Sequence, residues 1–427
     1  MLIYHRRTGT VGVPGAPPQF VTNEKSGGAP ALAVCRGRLR LVAVTAAVPL
    51  ATLAAGAARA DAAQVAAAVT GTRASLTAVA AIPGSSGAWA VGETCPKGPE
   101  GCVPGKDLVL RESGGGWSAV PAPSPGGPAS LVAVSADSAT DAWAVGSYDG
   151  GEKNLYLHWT GGTWKQVTGP GGVTLTGVAA ISAKDTLAVG YGQSSSGATV
   201  TVGLHWNGTS WAKTATPDPG GAGDDQLLGV TAIPGSTHAW ATGSSLTPQA
   251  TTKTLILSWN GASWHTAPAP PVATFATRLA GVAAASASDA WAVGQYNTPS
   301  DFDHPLILHW DGSTWTQAKL PSFGQNTYVL DGVAATASDV WAVGLGPCVG
   351  PSINCPSKVL TMHLGSSGWT VVPGVSVSDQ QDQNSLAGVA ITSGPGVWAV
   401  GDYFPAAESE PIFALLEEQQ GSGWVTK

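Results

Sequence analysis

The chain has 427 residues, with 57 glycines, 31 prolines, 17 tryptophans, 43% apolar residues and only 11% charged ones. That length implies several domains or one repetitive architecture, and the Gly, Pro and apolar content favours many short strands joined by turns. Low charge and abundant tryptophan exclude a disordered chain.

Residues 1–60 read as a leader. Arg36, Arg38 and Arg40 precede an apolar run from Leu41 to Ala58, and Ala58-Arg59-Ala60 has the small-residue pattern of a cleavage site. A membrane anchor is the competing reading, but the run barely reaches spanning length and Pro49 interrupts it. A start nearer Val34 would explain the polar residues 1–33. The expectation is a secreted, monomeric protein beginning near Asp61, with no stable membrane span. Seven of the 20 Lys and Arg residues precede Asp61, which leaves 13 basic against 26 acidic residues, about −13. Nucleic acid and anionic membrane surfaces are therefore poor partners.

Four cysteines follow the leader, Cys95 with Cys102 and Cys348 with Cys355, both spaced C-x6-C. Three connectivities are open, and pairing within each loop is the simplest, as an oxidising compartment would preserve. A zinc site would show shorter spacing with histidines nearby.

Residues 61–75 form a short N-terminal segment, in which Gln64 to Thr70 could add an edge strand. From 76 to 427 one unit of about 50 residues recurs seven times. An L-x-[AG]-V element begins at Leu76, Leu131, Leu175, Leu227, Leu279, Leu330 and Leu386. A W-A-V-G element follows, ending at Gly92, Gly146, Gly190, Gly243, Gly294, Gly344 and Gly401. Next comes an apolar segment, often L-x-L-H-W, and then a tryptophan after a glycine turn, from Trp117 in the first unit to Trp424 in the last. Every tryptophan of the chain falls in this pattern, which predicts indoles packed between units. Asn207-Gly208, Asn260-Gly261 and Asp311-Gly312 predict two-residue hairpin turns between the third and fourth strands. Ser/Thr-x-x-Asp before several second strands, ending at Asp141, Asp185, Asp289 and Asp339, suits a turn whose side chain caps its own backbone. Four antiparallel strands per unit and seven units predict an all-β seven-bladed β-propeller.

This order of motifs resembles the BNR/Asp-box-type and kelch-like repeat propellers of secreted bacterial type, over roughly Leu76 to Lys427. Only the final Gly-x-Ser/Thr-Trp of the Asp-box is retained, since Trp159, Trp206, Trp259 and Trp310 stand at the aspartate place. Blade 3 has Leu187 for the W-A-V-G tryptophan, and blade 7 has a longer turn from Glu417 to Gly423. The resemblance to sialidases fails on arginine, because only Arg73, Arg111 and Arg278 follow the leader. A copper oxidase of the galactose oxidase kind fails on cysteine, since each is better used in a local disulfide.

His158, His205, His309 and His363 share one blade position, too dispersed to converge on a metal. No cofactor, metal or catalytic motif is expected. Paired acids (Asp224-Asp225, Asp301-x-Asp303, Asp379-x-x-Asp382, Glu408-x-Glu410) sit in long connections, where they are either solvated charges or a site. The connections from strand two to three and from four to one vary in length and open on one rim, where binding residues are expected. Tyr296, Asp301, Asp303, Tyr328 and Tyr403 are the candidate ligand-binding residues there. The expected function is a binding module for a carbohydrate or protein ligand, without catalysis. The alternative is a glycoside hydrolase or lyase using carboxylates on the same rim, and a purely structural surface protein is a third reading. Carboxylates clustered near the central channel would favour the enzyme, and scattered ones the binding module.

Overall fold

A computed structural model describes residues 73–98, 101–102, 105–221, 223–247, 251–272, 276–297, 302–348, 357–376, 382–394, 396–404 and 412–427. Among them the regular structure is entirely β-strand, arranged as seven blades of four antiparallel strands. The innermost strands are Ala74–Ala81, Ala129–Ser138, Thr174–Ser182, Asp225–Ala232, Ala276–Ser286, Thr327–Ala335 and Gln383–Ile391. Each packs on the inner strand of the next blade, and the first packs on the seventh, so they ring a common axis. Blade 1 inserts a small hairpin, Lys97–Gly98 paired with Gly101–Cys102, between its second and third strands.

The two sequence elements fit each other through a bulge. Every inner strand slips register just after its motif leucine, as between Leu76 and Ala78 or Leu279 and Gly281. That leucine pairs with the W-A-V-G glycine, Leu76 with Gly92 and Leu279 with Gly294. A Cβ on either glycine would overlap the carbonyl oxygen of the residue before the leucine, Ser75 or Arg278. The closing glycine is thus a steric requirement of the bulge. The small residue of L-x-[AG]-V answers a second close approach. A Cβ on Gly229 would lie 2.9 Å from the Ala280 carbonyl oxygen of the next blade, and one on Gly281 would lie 2.8 Å from that of Asp331.

The tryptophans join blades. The W-A-V-G indole of one blade meets the fourth-strand indole of the next edge to face: Trp89 with Trp164 at 5.1 Å, Trp143 with Trp211 at 5.1 Å, Trp240 with Trp315 at 5.3 Å. Trp291 with Trp369 and Trp341 with Trp424 continue the series. Trp398 of blade 7 meets Trp117 of blade 1 at 5.3 Å and 88°, so the closing interface uses the same contact. Only between blades 3 and 4 is it absent, where Leu187 packs in the cluster that holds Trp264. Such a pair adds about 0.5–1.5 kcal/mol beyond the area it buries.

Blades 1 and 7 each draw their four strands from contiguous sequence, so among the described residues no strand is exchanged across the closure. The expected edge strand at Gln64 to Thr70 lies outside the described residues. Besides the indole pair, the closure carries a hydrogen bond from the Ser393 amide to the Ser85 carbonyl at 3.1 Å.

Two turn expectations are corrected. Trp206 pairs with Trp211, Trp259 with Trp264 and Trp310 with Trp315, which leaves four-residue loops where two were expected. Only the glycine takes a positive φ, 90° at Gly208, because the Asn207 carboxamide oxygen accepts from the Thr209 and Ser210 amides. In the Ser-x-x-Asp turns the serine is the cap, Ser138, Ser182 and Ser286 Oγ accepting from the Thr140, Lys184 and Ser288 amides, and the strand aspartates do not serve those turns. Asp141, Asp185, Asp289 and Asp339 bond instead to His158, His205, His309 and His363 across the blade, at 2.6–3.0 Å. Three of these histidines also stack on the W-A-V-G indole, as His158 does on Trp143 at 4.1 Å. The position is structural, as its repetition implies. In blade 7 the turn is not long, since the third strand runs Phe413–Gln420 and Gln420 pairs with Gly423.

Candidate functional site

Inner strands begin, and second strands end, on the variable rim, so residues just before the motif leucine and just after the W-A-V-G glycine surround the mouth of the central channel. In most blades these are small or neutral: Ser130 pairs with Ser147, Gln226 with Ser244, Val329 with Leu345. Three pairings carry charge there, Ser75 with Glu93, Arg278 with Gln295 and Ser385 with Asp402. Asp331 adds a fourth charged side chain, from the bulge of the blade 6 inner strand.

These groups feel one another in sequence around the mouth. Burial, and then the charge of Asp402, pushes the Glu93 carboxyl up to about 7. Burial also raises Asp402, with the Ser75 and Ser385 hydroxyls acting against it and Asp331 adding to it. Burial raises Asp331, while Arg278 opposes the rise. Arg278 likewise acts on Asp303, whose carboxyl burial raises and whose bonds to Gln295 and Asn297 lower. The series Glu93, Asp402, Asp331, Arg278 and Asp303 therefore runs from blade 1 through blades 7 and 6 to blade 5.

Their freedom to act differs. Asp402 is 4% exposed and accepts from Ser75 Oγ at 2.7 Å and Ser385 Oγ at 2.9 Å, one hydroxyl from each side of the closure. Both of its oxygens are thus engaged in holding blade 7 to blade 1. Glu93 is half-buried near the end of its strand, and its carboxylate makes no hydrogen bond among the described residues. It is the group at the mouth best placed to meet a ligand.

Of the candidates read from sequence, Asp303 belongs to this series. Tyr296 stacks on His304 at 5.3 Å within blade 5, and Tyr403 on Phe413 at 5.1 Å within blade 7. Tyr328 meets Phe323 at 4.7 Å and lines a cavity of about 380 Å³ on the rim side of blade 6. Asp301 lies outside the described residues, as do Asp379, Glu408 and Glu410. Asp225 is fully buried and accepts from the Gly220 amide at 2.7 Å, which makes it a loop brace. Among the described residues no hydrogen bond or ring contact joins Tyr296, Tyr328 and Tyr403 to one another. Sequence reading passed over Glu93, Arg278, Asp331 and Asp402, although their signal was present. Asp331 stands where other blades have Thr77, Val132, Thr176, Leu228, Ala280 or Ala387.

Cys95 is completely buried and disulfide-bonded. Among the described residues no group of three or more His, Cys, Asp and Glu side chains is arranged to hold a metal ion.

No family model matches the chain, and no curated protein matches it. Among solved structures it is similar to the β-propeller domain of the Trilobed protease from Pyrococcus furiosus, described as having an open velcro topology. That similarity has a TM-score of 0.50 and 8% identity over 83% of this chain and 97% of that one. It is also similar to YCF48 bound to D1 peptide, at TM-score 0.47 and 14% identity over 77% of this chain and 89% of that one. YCF48 from Cyanidioschyzon merolae gives TM-score 0.46 and 15% identity over 77% and 93%. At such identities the likeness concerns the fold alone, and the fold is a β-propeller of repeated four-stranded blades.

Proposed function

We propose that the protein is a secreted or cell-surface binding propeller whose ligand sits over the channel mouth on the variable rim. The observation that carries this is the run of charged side chains from Glu93 to Asp303, drawn from four blades at positions where the repeat otherwise places small or neutral residues. Apart from Asp402, which also holds blade 7 to blade 1, these charges do not belong to the packing pattern of the repeat. Carboxylates outnumber the lone Arg278 there, which favours a protein ligand presenting a basic side chain over a carbohydrate. The test is a screen of peptides and glycans against the wild type and the Glu93→Gln, Arg278→Met double variant. A loss of at least tenfold in affinity, with no fall in melting temperature, is expected. A ligand bound equally by both proteins would move the site elsewhere.

An enzymatic reading, a glycoside hydrolase or lyase, is favoured by one observation: a carboxyl held near 7 beside other carboxylates suits general acid–base work. Against it, Asp402 is committed to its two serines, which leaves Glu93 without a free carboxylate partner of known role.

Export follows from the apolar run Leu41 to Ala58, and the disulfide at Cys95 supports an oxidising compartment. Cys102 pairs across its hairpin with Lys97, two residues beyond Cys95, which supports a Cys95–Cys102 bond. Cys348 ends the second strand of blade 6 and pairs with Ser357, two residues beyond Cys355, which supports Cys348–Cys355. Non-reducing peptide mapping is expected to show both bonds in protein beginning near Asp61. A bridge between blades 1 and 6 would overturn the pairing.

A further inference from the structure

The blade 6 cavity differs in chemistry from the channel mouth. Its walls are Phe323, Tyr328, Pro347, Val359, Val371 and Pro373, and its volume of about 380 Å³ accommodates a ring-sized group. Val371 is 49% exposed, one of two large apolar side chains exposed among the described residues. The Tyr328 ring is seated on Gly346, where any Cβ would run into it, and Gly346 has a φ of 142° that side chains resist. The aromatic wall is therefore fixed in place by its backbone.

The polar part of the lining is small. Ser376 is engaged, since its Oγ accepts from the Val359 amide at 3.3 Å. Lys358 is exposed, and among the described residues it forms no ion pair and is the only charged side chain in the lining. Among the described residues no Asp, Glu, Asn, Gln, His or Arg lines the cavity, which gives it none of the side-chain acceptors and amides that suit a sugar's hydroxyls. In a chain with 26 acidic residues against 13 basic ones after the leader, a cavity whose described lining is apolar and free of acids, beside a lysine with no ion pair among the described residues, stands apart. A single ammonium suits a singly charged carboxylate better than a phosphate, which takes more donors.

We propose that this cavity binds an apolar group carrying a free carboxylate, with the apolar part against Phe323, Tyr328 and Val371 and the carboxylate on Lys358. A free apolar acid and the C-terminal residue of a peptide share that chemistry. The inference shares with the proposed function only the reading of the variable rim as the binding face, and its site is separate from the channel mouth.

Three probes test it by ligand-observed NMR and calorimetry: 3-phenylpropionate, acetyl-Gly-Ala-Phe with a free carboxylate, and the same peptide as its C-terminal amide. At least one acid is expected to bind, and the peptide acid at least fivefold more tightly than its amide if the source is a peptide. If only the free acid binds, the source is a small molecule, and 3-phenylpropionamide takes the place of the amide. Lys358→Met should abolish the preference for the acid, and Val371→Asp should weaken every probe, both with unchanged melting curves. The Glu93→Gln, Arg278→Met variant should bind these probes as the wild type does, so failure at the channel mouth and failure here are told apart. The proposal is overturned if neither acid binds at millimolar concentration, if amide and acid bind alike, or if Lys358→Met leaves the preference intact.

Discussion

Replacing Glu417 with leucine is expected to raise the melting temperature by several degrees at pH 7 and to remove part of its dependence on pH. The third strand of every other blade has an aliphatic residue at this register, opposite the W-A-V-G alanine: Leu110, Leu157, Leu204, Leu257, Leu308 and Met362. Blade 7 has Glu417, paired with Ala399 and fully buried, with no well-formed hydrogen bond to either carboxyl oxygen and only the Val375 backbone opposing the effect of burial. Its surroundings on the blade 6 side include Gly374, Val359 and Thr361, none of them charged. Burial therefore pushes the carboxyl up to about 8. A carboxyl raised in the folded state from 4.5 favours folding fully below pH 4.5, and that stability is lost as pH rises toward 8. The loss amounts to about 3 kcal/mol at pH 7. Glu417→Gln should show the same flattening with less gain, while Glu418→Gln, next along the strand and paired with Lys427 at 2.8 Å, should leave the slope unchanged. Melting curves between pH 4.5 and 8.5 decide it. An unaltered slope in Glu417→Leu would mean the carboxyl ionises freely in the folded protein.

Glu417 also shows what the sequence made legible. The blades were readable because their requirements repeat: a leucine at the bulge, a glycine facing it and an indole for the next blade all recur with one spacing. Where a blade departs from the pattern, spacing alone misleads. Glu417 to Gly423 looked like an extended turn because a charged residue interrupts an apolar strand, yet the strand continues through Gln420 because its backbone pairing does not depend on that side chain. The four-residue hairpins were missed for a related reason, since Asn-Gly marks a turn without fixing its length. The channel mouth was harder still. Glu93, Arg278, Asp331 and Asp402 come from four blades and share no spacing, and they meet only because the ring brings the inner strands together. Blade topology put Tyr296, Tyr328 and Tyr403 in connections of one kind, but topology could not say that their rings would meet His304, Phe323 and Phe413 rather than one another.

Trp117→Ala is expected to cost about 3–5 kcal/mol, as for any fully buried indole, but its consequence should differ from that of the equivalent change within the ring. Trp164→Ala removes the same edge-to-face partner between blades 1 and 2, which remain joined by the chain running from Gly116–Ala119 into Ala129–Ser138. Between blades 7 and 1 no such connection exists and no strand is shared among the described residues. The closure then depends on the Trp117–Trp398 contact, the Ser75–Asp402–Ser385 bonds, the Ser393–Ser85 bond and the apolar cluster around Leu76, Val400 and Leu416. Loss of the indole should let this one interface open while six others stay packed. Hydrogen exchange should accelerate first in Ala74–Ala81 and Val397–Phe404 for Trp117→Ala, well below the global transition, and the other inner strands should stay protected. Trp164→Ala should instead unfold as a unit at a similarly lowered temperature. Uniform exchange in both variants would show that the ring fails as a whole, with the closing interface as strong as any other.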